Sequence, residues 1–358
     1  MIPVTKTFLP PIAEYMRQVQ RAYDNGWLTN RGELVKELEQ KLTVFLNLEE
    51  SKILCLNNGT IPLQIALKVL GNGGEIITTP FSYVATTSAI VWENCTPVFV
   101  DIHPKILTID ESLIESAITE KTTCILATHV FGNPCNVEEI ERIAKKYNLK
   151  VIYDAAHCFG VKYKGKSIFE YGDVSTCSFH ATKVFHTGEG GAIFCKDEQL
   201  YNKLFYSHNF GHNGPYEFHG VGINGKMSEL SAAMGLSVLS KIDYITSSRN
   251  NVVDFYNVQL NFNKFKKIEL RDFCVSNFSY YPIIFESETL LSEILRKLNE
   301  IEIYPRRYFY PSLNTVSYIK SDAKPISESI SKRILCLPLY DSIKIEELEK
   351  ITKIINEI

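Results

Sequence analysis

Between Lys52 and Cys195 the chain alternates short β-branched apolar runs with amphipathic helical stretches, an order that few folds accept. The runs KILCL, EIITT, TPVFVDI, TTCILATHV, KVIYDA, DVSTCSF and GAIFC have strand length and are mostly unbroken apolar rather than alternating. Strands of that kind are buried on both faces, which requires helices above and below a sheet. The stretch NVEEIERIAKKYN agrees, because Val137, Ile140, Ile143 and Tyr147 share one face at helical spacing with charges opposite. The expectation is an α/β fold with a large, mixed or mainly parallel sheet.

After Asn224 the pattern changes. MSELSAAMGLSVLSKIDYITSSRNNVVDFYNVQL is a long, nearly Gly-free helical stretch that bridges to a second unit. That unit is expected to be a smaller α+β domain. It would hold the strand FSYYPIIF, the helix ETLLSEILRKLNE, the strand ILCLPLY and a last helix with Ile345, Leu348, Ile351, Ile355 and Ile358 on one face. At 358 residues two domains fit, and we divide them as 1–240, an N-terminal arm and large domain, and 241–358, the small domain. Pro3, Pro10 and Pro11 mark the arm, which leads into a first helix.

Composition narrows the partners. With 38 basic against 41 acidic side chains the net charge is -3, which argues against nucleic acid or a polybasic membrane anchor. No run approaches the ~18 apolar residues of a membrane span, and the opening residues lack a signal-peptide layout, so the expected place is the cytoplasm. The nine cysteines are scattered, without a CxxC pair, mostly in apolar runs, and are expected to be reduced core thiols. His180 and His186 flank Lys183, but no cysteine pair accompanies them, so no metal is expected.

Three segments carry chemistry. In NNGTIPLQIALKVLG a strand runs through Gly59 and Thr60 directly into a helix, whose free N–H groups suit a phosphate; an ordinary helix capped by Thr60 is the alternative. In KVIYDAAHCFG a buried strand delivers Asp154 at its end and His157 three residues later, either at a ligand site or with Asp154 as a helix cap. In DVSTCSFHATKVFHTGEGGAIFC, Ser178 and Lys183 lie in a polar, Gly-bearing loop between two buried strands. A lysine forms a Schiff base when desolvation lowers its pKa, and a phosphate-bearing aldehyde would anchor on Ser178 and Thr60. An Asp facing a pyridine nitrogen completes the arrangement that pyridoxal phosphate requires.

The sequence resembles the DegT/StrS sugar aminotransferases, of the fold type I (aspartate aminotransferase-like) pyridoxal phosphate enzymes. The resemblance spans the chain through NGWLTNRGELVKELE, NNGTIPLQIAL, TTPFSYVATTSAI, VFVDI, HVFGNPCNVEEI, VIYDAAHCFG, SFHATKVFHTGEGGAI, GINGKMSEL and IYPRRYFYPSL. It implies that Lys183 carries the cofactor and then acts as acid and base, and that Asp154 pairs with the pyridine nitrogen. His157 would stand near the 3-hydroxyl, Tyr83 would stack on the ring, and Gly59, Thr60 and Ser178 would hold the phosphate. Asn224 would reach the cofactor of a neighbouring subunit, which implies a homodimer with shared active sites. On the substrate side it implies Trp27, Leu28, Thr29, Glu189, Arg306, Arg307, Tyr308 and Tyr310 along a sugar-nucleotide groove. Plain readings stand beside these: Tyr83 as core packing, Asn224 as a turn residue, and the RRYFYP segment as a packed loop or interface. Many relatives have Gln at the His157 position and Arg at the Lys226 position, so the donor to the cofactor becomes titratable and a bidentate contact is weakened.

Within the family, TGEGG after the lysine resembles enzymes that aminate C4 of a 4-keto-6-deoxy sugar nucleotide. Together with WLTN, FHATKVFHT and RRYFYP it is similar to enzymes making dTDP-4-amino-4,6-dideoxyglucose from dTDP-4-keto-6-deoxyglucose with L-glutamate, for O-antigen or other surface polysaccharide. The alternatives are a C3 aminotransferase, a 4-aminotransferase on a UDP- or GDP-sugar, and a non-enzymatic cofactor-binding regulator. A pyridoxal-dependent dehydratase would use His in place of Lys183.

Overall fold

The computed structural model describes residues 1–357. Each of the seven apolar runs becomes a strand of one sheet: β1 (Lys52–Leu56), β2 (Glu75–Thr78), β3 (Thr96–Phe99), β4 (Thr122–Thr128), β5 (Lys150–Asp154), β6 (Val174–Ser178) and β7 (Gly191–Cys195). Their order is β1-β7-β6-β5-β4-β2-β3. Only β7 runs against its neighbours; the other pairings are parallel. The connection from β6 to β7 forms no helix, and without a crossover the chain must return antiparallel.

Alternation of side chains along these strands builds two cores, one on each face. Ile53, Cys55, Ile125, Ala127, Val151 and Tyr153 join one. Leu54, Leu56, Cys124, Leu126 and Ile152 join the other. Helix Ile61–Leu70 covers the second face with Leu63, Ile65, Ala66 and Leu67. Helix Val137–Tyr147 covers the first with Val137, Ile140, Ile143 and Ala144, capped by Asn136 and ended by the left-handed Asn148. All nine cysteines are free thiols, and only Cys274 is less than fully buried.

A second, antiparallel sheet joins Phe265–Lys267, Tyr281–Phe285 and Ile334–Leu337, in that order. Its core takes Leu291, Ile294 and Leu298 from helix Glu288–Glu300, and Leu348, Ile351 and Ile355 from helix Ile345–Asn356. Ile345 does not share that face, since at the first turn it is 62% exposed, and Ile358 lies outside the described residues. The long helical stretch after Asn224 is broken at Ser240 and Lys241 into Glu229–Leu239 and Ile242–Gln259. Neither glycine nor proline marks that break. Ile242 and Ile245 pack in the large core, and Val252, Val253 and Tyr256 in the second one. The N-terminal arm also crosses over, because Ile2–Pro3 pairs in parallel with Ile303–Tyr304 before helix Ile12–Asp24 begins.

Candidate active site

The sheet topology brings the chemistry together. β1, β4, β5 and β6 point the same way, so the residues that follow or end them gather at one edge, where ligands bind in open α/β sheets. A cavity of about 540 Å³ opens there, lined by Gly59, Thr60, Tyr83, Asp154, His157, Ser178, Lys183 and Glu189, and closed from the other side by Tyr280, Arg306, Tyr308 and Phe309.

Thr60 does not cap the helix it precedes. The Oδ1 of Asn58 accepts from the backbone N–H groups of Thr60 and Ile61, at 2.8 Å each, and leaves the Thr60 hydroxyl without a capping bond. Asn58 carries a sequence signal of its own, an Asx residue just before a helix start. Ser178 Oγ accepts only a long bond from His180 N, at 3.4 Å, so its own proton is free to donate into the cavity.

Asp154 is likewise no helix cap, because a turn follows it. Its Oδ2 accepts from the Thr86 hydroxyl at 2.6 Å and its Oδ1 from Ala156 N at 3.1 Å. Burial raises its pKa, and the Thr86 and Ala156 hydrogen bonds and the Lys183 charge hold that rise back. Thr86 carried no sequence signal of its own.

His157 Nδ1 accepts from Phe131 N at 3.2 Å, which places its proton on Nε2. Burial pushes its pKa well below the usual imidazole value, and the Lys183 ammonium pushes the same way. The ring packs face to face with Phe309 at 5.8 Å and edge-on to Tyr280 at 5.0 Å. Its carbonyl accepts from Asn277 Nδ2 at 2.9 Å and from the Ser279 hydroxyl, which fixes the loop from the far side.

Burial also lowers the pKa of Lys183, against the opposing influence of Tyr308 and Asp154. Its Nζ lies 5.9 Å from the centre of the Tyr280 ring. Tyr83 is 54% exposed on the cavity wall, so core packing does not account for it. His180 also lines the cavity; its Nδ1 lies 2.9 Å from Thr182 Oγ1 and its Nε2 3.6 Å from Glu189 Oε1.

Six expected site residues stand outside this cavity. Arg307 turns away, with Nη2 on Glu288 Oε1 at 2.7 Å and its guanidinium 3.7 Å from the centre of the Tyr310 ring. Trp27 and Leu28 are exposed, as is Thr29, and the Leu28 carbonyl accepts from Glu229 N at 3.0 Å. Asn224 lies exposed at a bridge to Asn209, its Oδ1 accepting from Lys226 Nζ at 2.6 Å.

The donor set fits pyridoxal phosphate: two hydroxyls without competing roles at one end, a buried carboxylate with a hydroxyl partner at the other, and an amine of lowered basicity between walls of aromatic rings.

Comparison with known proteins agrees. Residues 12–356 match the DegT/DnrJ/EryC1/StrS aminotransferase family. The chain is 43% identical to a dTDP-4-amino-4,6-dideoxy-D-glucose transaminase of Shigella dysenteriae, over 99% of this chain and 98% of the relative. The crystal structure of DesI in the presence of its TDP-sugar product superposes with a TM-score of 0.93 at 27% identity, over 99% of this chain and 92% of that one. The sugar aminotransferase Spr1654 of Streptococcus pneumoniae, in its PMP form, gives 0.91 at 25% identity, over 99% and 97%. The chain belongs to the DegT/DnrJ/EryC1/StrS aminotransferase family, with the fold type I architecture and pyridoxal phosphate as its cofactor.

Proposed function

We propose that this protein transfers an amino group from L-glutamate to C4 of dTDP-4-keto-6-deoxyglucose, yielding dTDP-4-amino-4,6-dideoxyglucose. The observation that carries this reading is the near end-to-end likeness to a transaminase named for that product. The gathering of Thr60, Asp154, Ser178 and Lys183 on one cavity supports the chemistry.

Bound in the cavity, the cofactor supplies a positively charged ring that draws off electrons when a carbanion forms beside it. Lys183 Nζ takes the proton from the α-carbon of glutamate and returns one to C4 of the sugar, a task for which its lowered basicity suits it. Asp154 holds the ring nitrogen protonated. Gly59, Thr60 and Ser178 would hold the phosphate, Tyr83 would cover the ring, and His157, with its proton on Nε2, would donate to the 3-hydroxyl. Arg306, Tyr308 and Glu189 face the sugar nucleotide.

The residues outside the cavity act in an assembly. In a homodimer with shared sites Asn224 serves the partner's cofactor phosphate, and Trp27, Leu28, Thr29, Arg307 and Tyr310 border the entrance that the sugar nucleotide uses. The division at residue 240 separates the cofactor-holding part from the part that brings Tyr280 and Arg306. The enzyme works in the cytoplasm and supplies an amino sugar for O-antigen or a similar surface polysaccharide.

The test is spectroscopic. Purified protein reconstituted with pyridoxal phosphate is followed in the visible on adding L-glutamate and then the 4-keto sugar nucleotide, and the product is analysed by NMR. Loss of the band with glutamate and its return with the sugar support the reading, with the amine at C4. Loss without return refutes this substrate, and an amine at C3 refutes the regiochemistry.

A further inference from the structure

The wall of the cavity formed by Arg306, Tyr308 and Phe309 belongs to a segment with little regular structure of its own. Something else must hold it. Ser312 Oγ lies 2.7 Å from Ser327 Oγ, and Asn314 Nδ2 donates to Glu328 Oε1 at 2.6 Å, so the segment hangs on helix Pro325–Arg333. Arg306 also exchanges backbone hydrogen bonds with Cys336, just past the end of that helix.

The start of this helix lacks a cap of its own, since Lys324 offers no side-chain acceptor. A carboxylate from the large sheet does the work instead. Asp101, two residues beyond the end of β3 and 7% exposed, accepts from Ile326 N through Oδ2 at 2.9 Å and from Ser327 N through Oδ1 at 2.8 Å. Its Oδ1 also takes the Ile102 N–H at 2.9 Å. Three backbone donors and no cationic side chain satisfy it, which is the pattern of an anion held at a helix N-terminus. The two residues are more than two hundred positions apart in sequence, and the bond joins the large sheet to the second half of the chain.

We infer that Asp101 is a positioning residue for the sugar-nucleotide side of the active site, acting through the cap on helix Pro325–Arg333 and the Ser327 to Ser312 link to set Arg306 and Tyr308. The inference rests on the proposed function for its substrate, though not for its structural readout. Glutamate, the smaller substrate, is expected to depend less on that wall. The nucleotide sugar is long and spans to the Arg306 wall, so the two substrates should feel the loss of Asp101 unequally.

The experiment compares the holoenzyme with its Asp101→Ala and Asp101→Asn variants. Asp101→Ala is expected to raise KM for the keto sugar nucleotide about tenfold, the weight of one charged hydrogen bond, with KM for glutamate and kcat within about twofold. Asp101→Asn keeps the Oδ1 acceptor and should raise it about threefold. Ser327→Ala, which leaves the cap in place but cuts the link to Ser312, should shift it in the same direction. Independently of any substrate, amide hydrogen exchange over residues 306–315 should quicken in both Asp101 variants. A parallel loss for both substrates overturns the inference, as does unchanged exchange in that segment. Should the alanine variant not fold, Asp101→Asn and Ser327→Ala give the same decision.

Discussion

Gly59 and Ser178 belong to strand ends that are not neighbours, yet a methyl group on Gly59 would lie 2.6 Å from Ser178 Cβ and 2.7 Å from its Oγ. β7 runs between their strands, and the chain reaches over its first residue to make this approach. Gly191 permits the crossing, because a Cβ there would meet the Asn58 carbonyl oxygen at 2.2 Å. Neither glycine has a positive φ; what each supplies is room.

Gly59→Ala should therefore weaken pyridoxal phosphate binding by ten- to a hundredfold, since overpacking costs about 1–3 kcal/mol and here displaces the hydroxyl proposed to hold the phosphate. The added methyl should be tolerated better when Ser178 is also reduced to Gly. Titration of each apoprotein with the cofactor, read in the visible, gives the two dissociation constants. Tight binding by the single variant would mean that Ser178 and Gly59 do not hold the phosphate.

The seven strands of the large sheet were legible because each is a short β-branched run that both faces bury, as Leu54 and Cys55 show from adjacent positions. The site was legible where one residue type has few structural uses, as with Lys183 in a buried loop. It was not legible where the partner is remote. Thr86 meets Asp154 across 68 positions and Asn277 meets His157 across 120, and no local pattern encodes either. The break at Ser240 and Lys241 escaped for a related reason: the two helices turn to serve two different cores, which is a tertiary demand.

The Phe131 N–H on His157 Nδ1 makes this histidine a neutral donor through Nε2, the same service a glutamine amide renders. His157→Gln is expected to keep kcat/KM within about fivefold, while His157→Ala, which leaves the 3-hydroxyl without a donor, should lose about ten- to a hundredfold. Because burial and Lys183 hold the imidazole pKa well below its usual value, the pH profiles of wild type and His157→Gln should coincide between pH 6 and 8. A limb near pH 6.5 present only in the wild type would show that the ring titrates during turnover.

Lys183 and Asp154 should separate by what survives their loss. Lys183→Ala removes the only lysine lining the cavity among the described residues, and is expected to lower turnover by more than about a thousandfold with the fold retained. Asp154→Asn keeps the Oδ1 acceptor for Ala156 N, replaces the oxygen facing Thr86 with an amide N–H to which the hydroxyl oxygen can turn as acceptor, and removes the charge proposed to face the ring nitrogen. It should still bind the cofactor and form the visible band, yet bleach with glutamate at least about a hundredfold more slowly. Stopped-flow absorbance distinguishes the two, and a near-normal rate in Asp154→Asn would remove that residue from the ring nitrogen.

Acid should destabilise the fold through buried histidines before it reaches most carboxylates. His129 stacks on Tyr153 at 4.5 Å, its Nδ1 accepts from Cys135 N at 2.9 Å, and burial lowers its pKa to about 3. A histidine whose folded pKa is depressed stays neutral while the unfolded chain gains a proton. Its stabilisation is thus intact above about pH 6.5 and is lost as pH falls toward the folded value. Between pH 6.5 and 5 that loss amounts to about 2 kcal/mol for this one ring. Raised carboxyls such as Asp154 and Glu39 act in the opposite sense, since the folded chain holds their protons more firmly, so the whole-protein slope mixes both. A difference between proteins cancels them. In His129→Asn, the fall in urea stability from pH 7 to pH 5 should be smaller than in the wild type by about 2 kcal/mol, whatever the variant's stability at pH 7. Equal slopes would mean that His129 binds its proton as readily in the folded protein as in the unfolded chain.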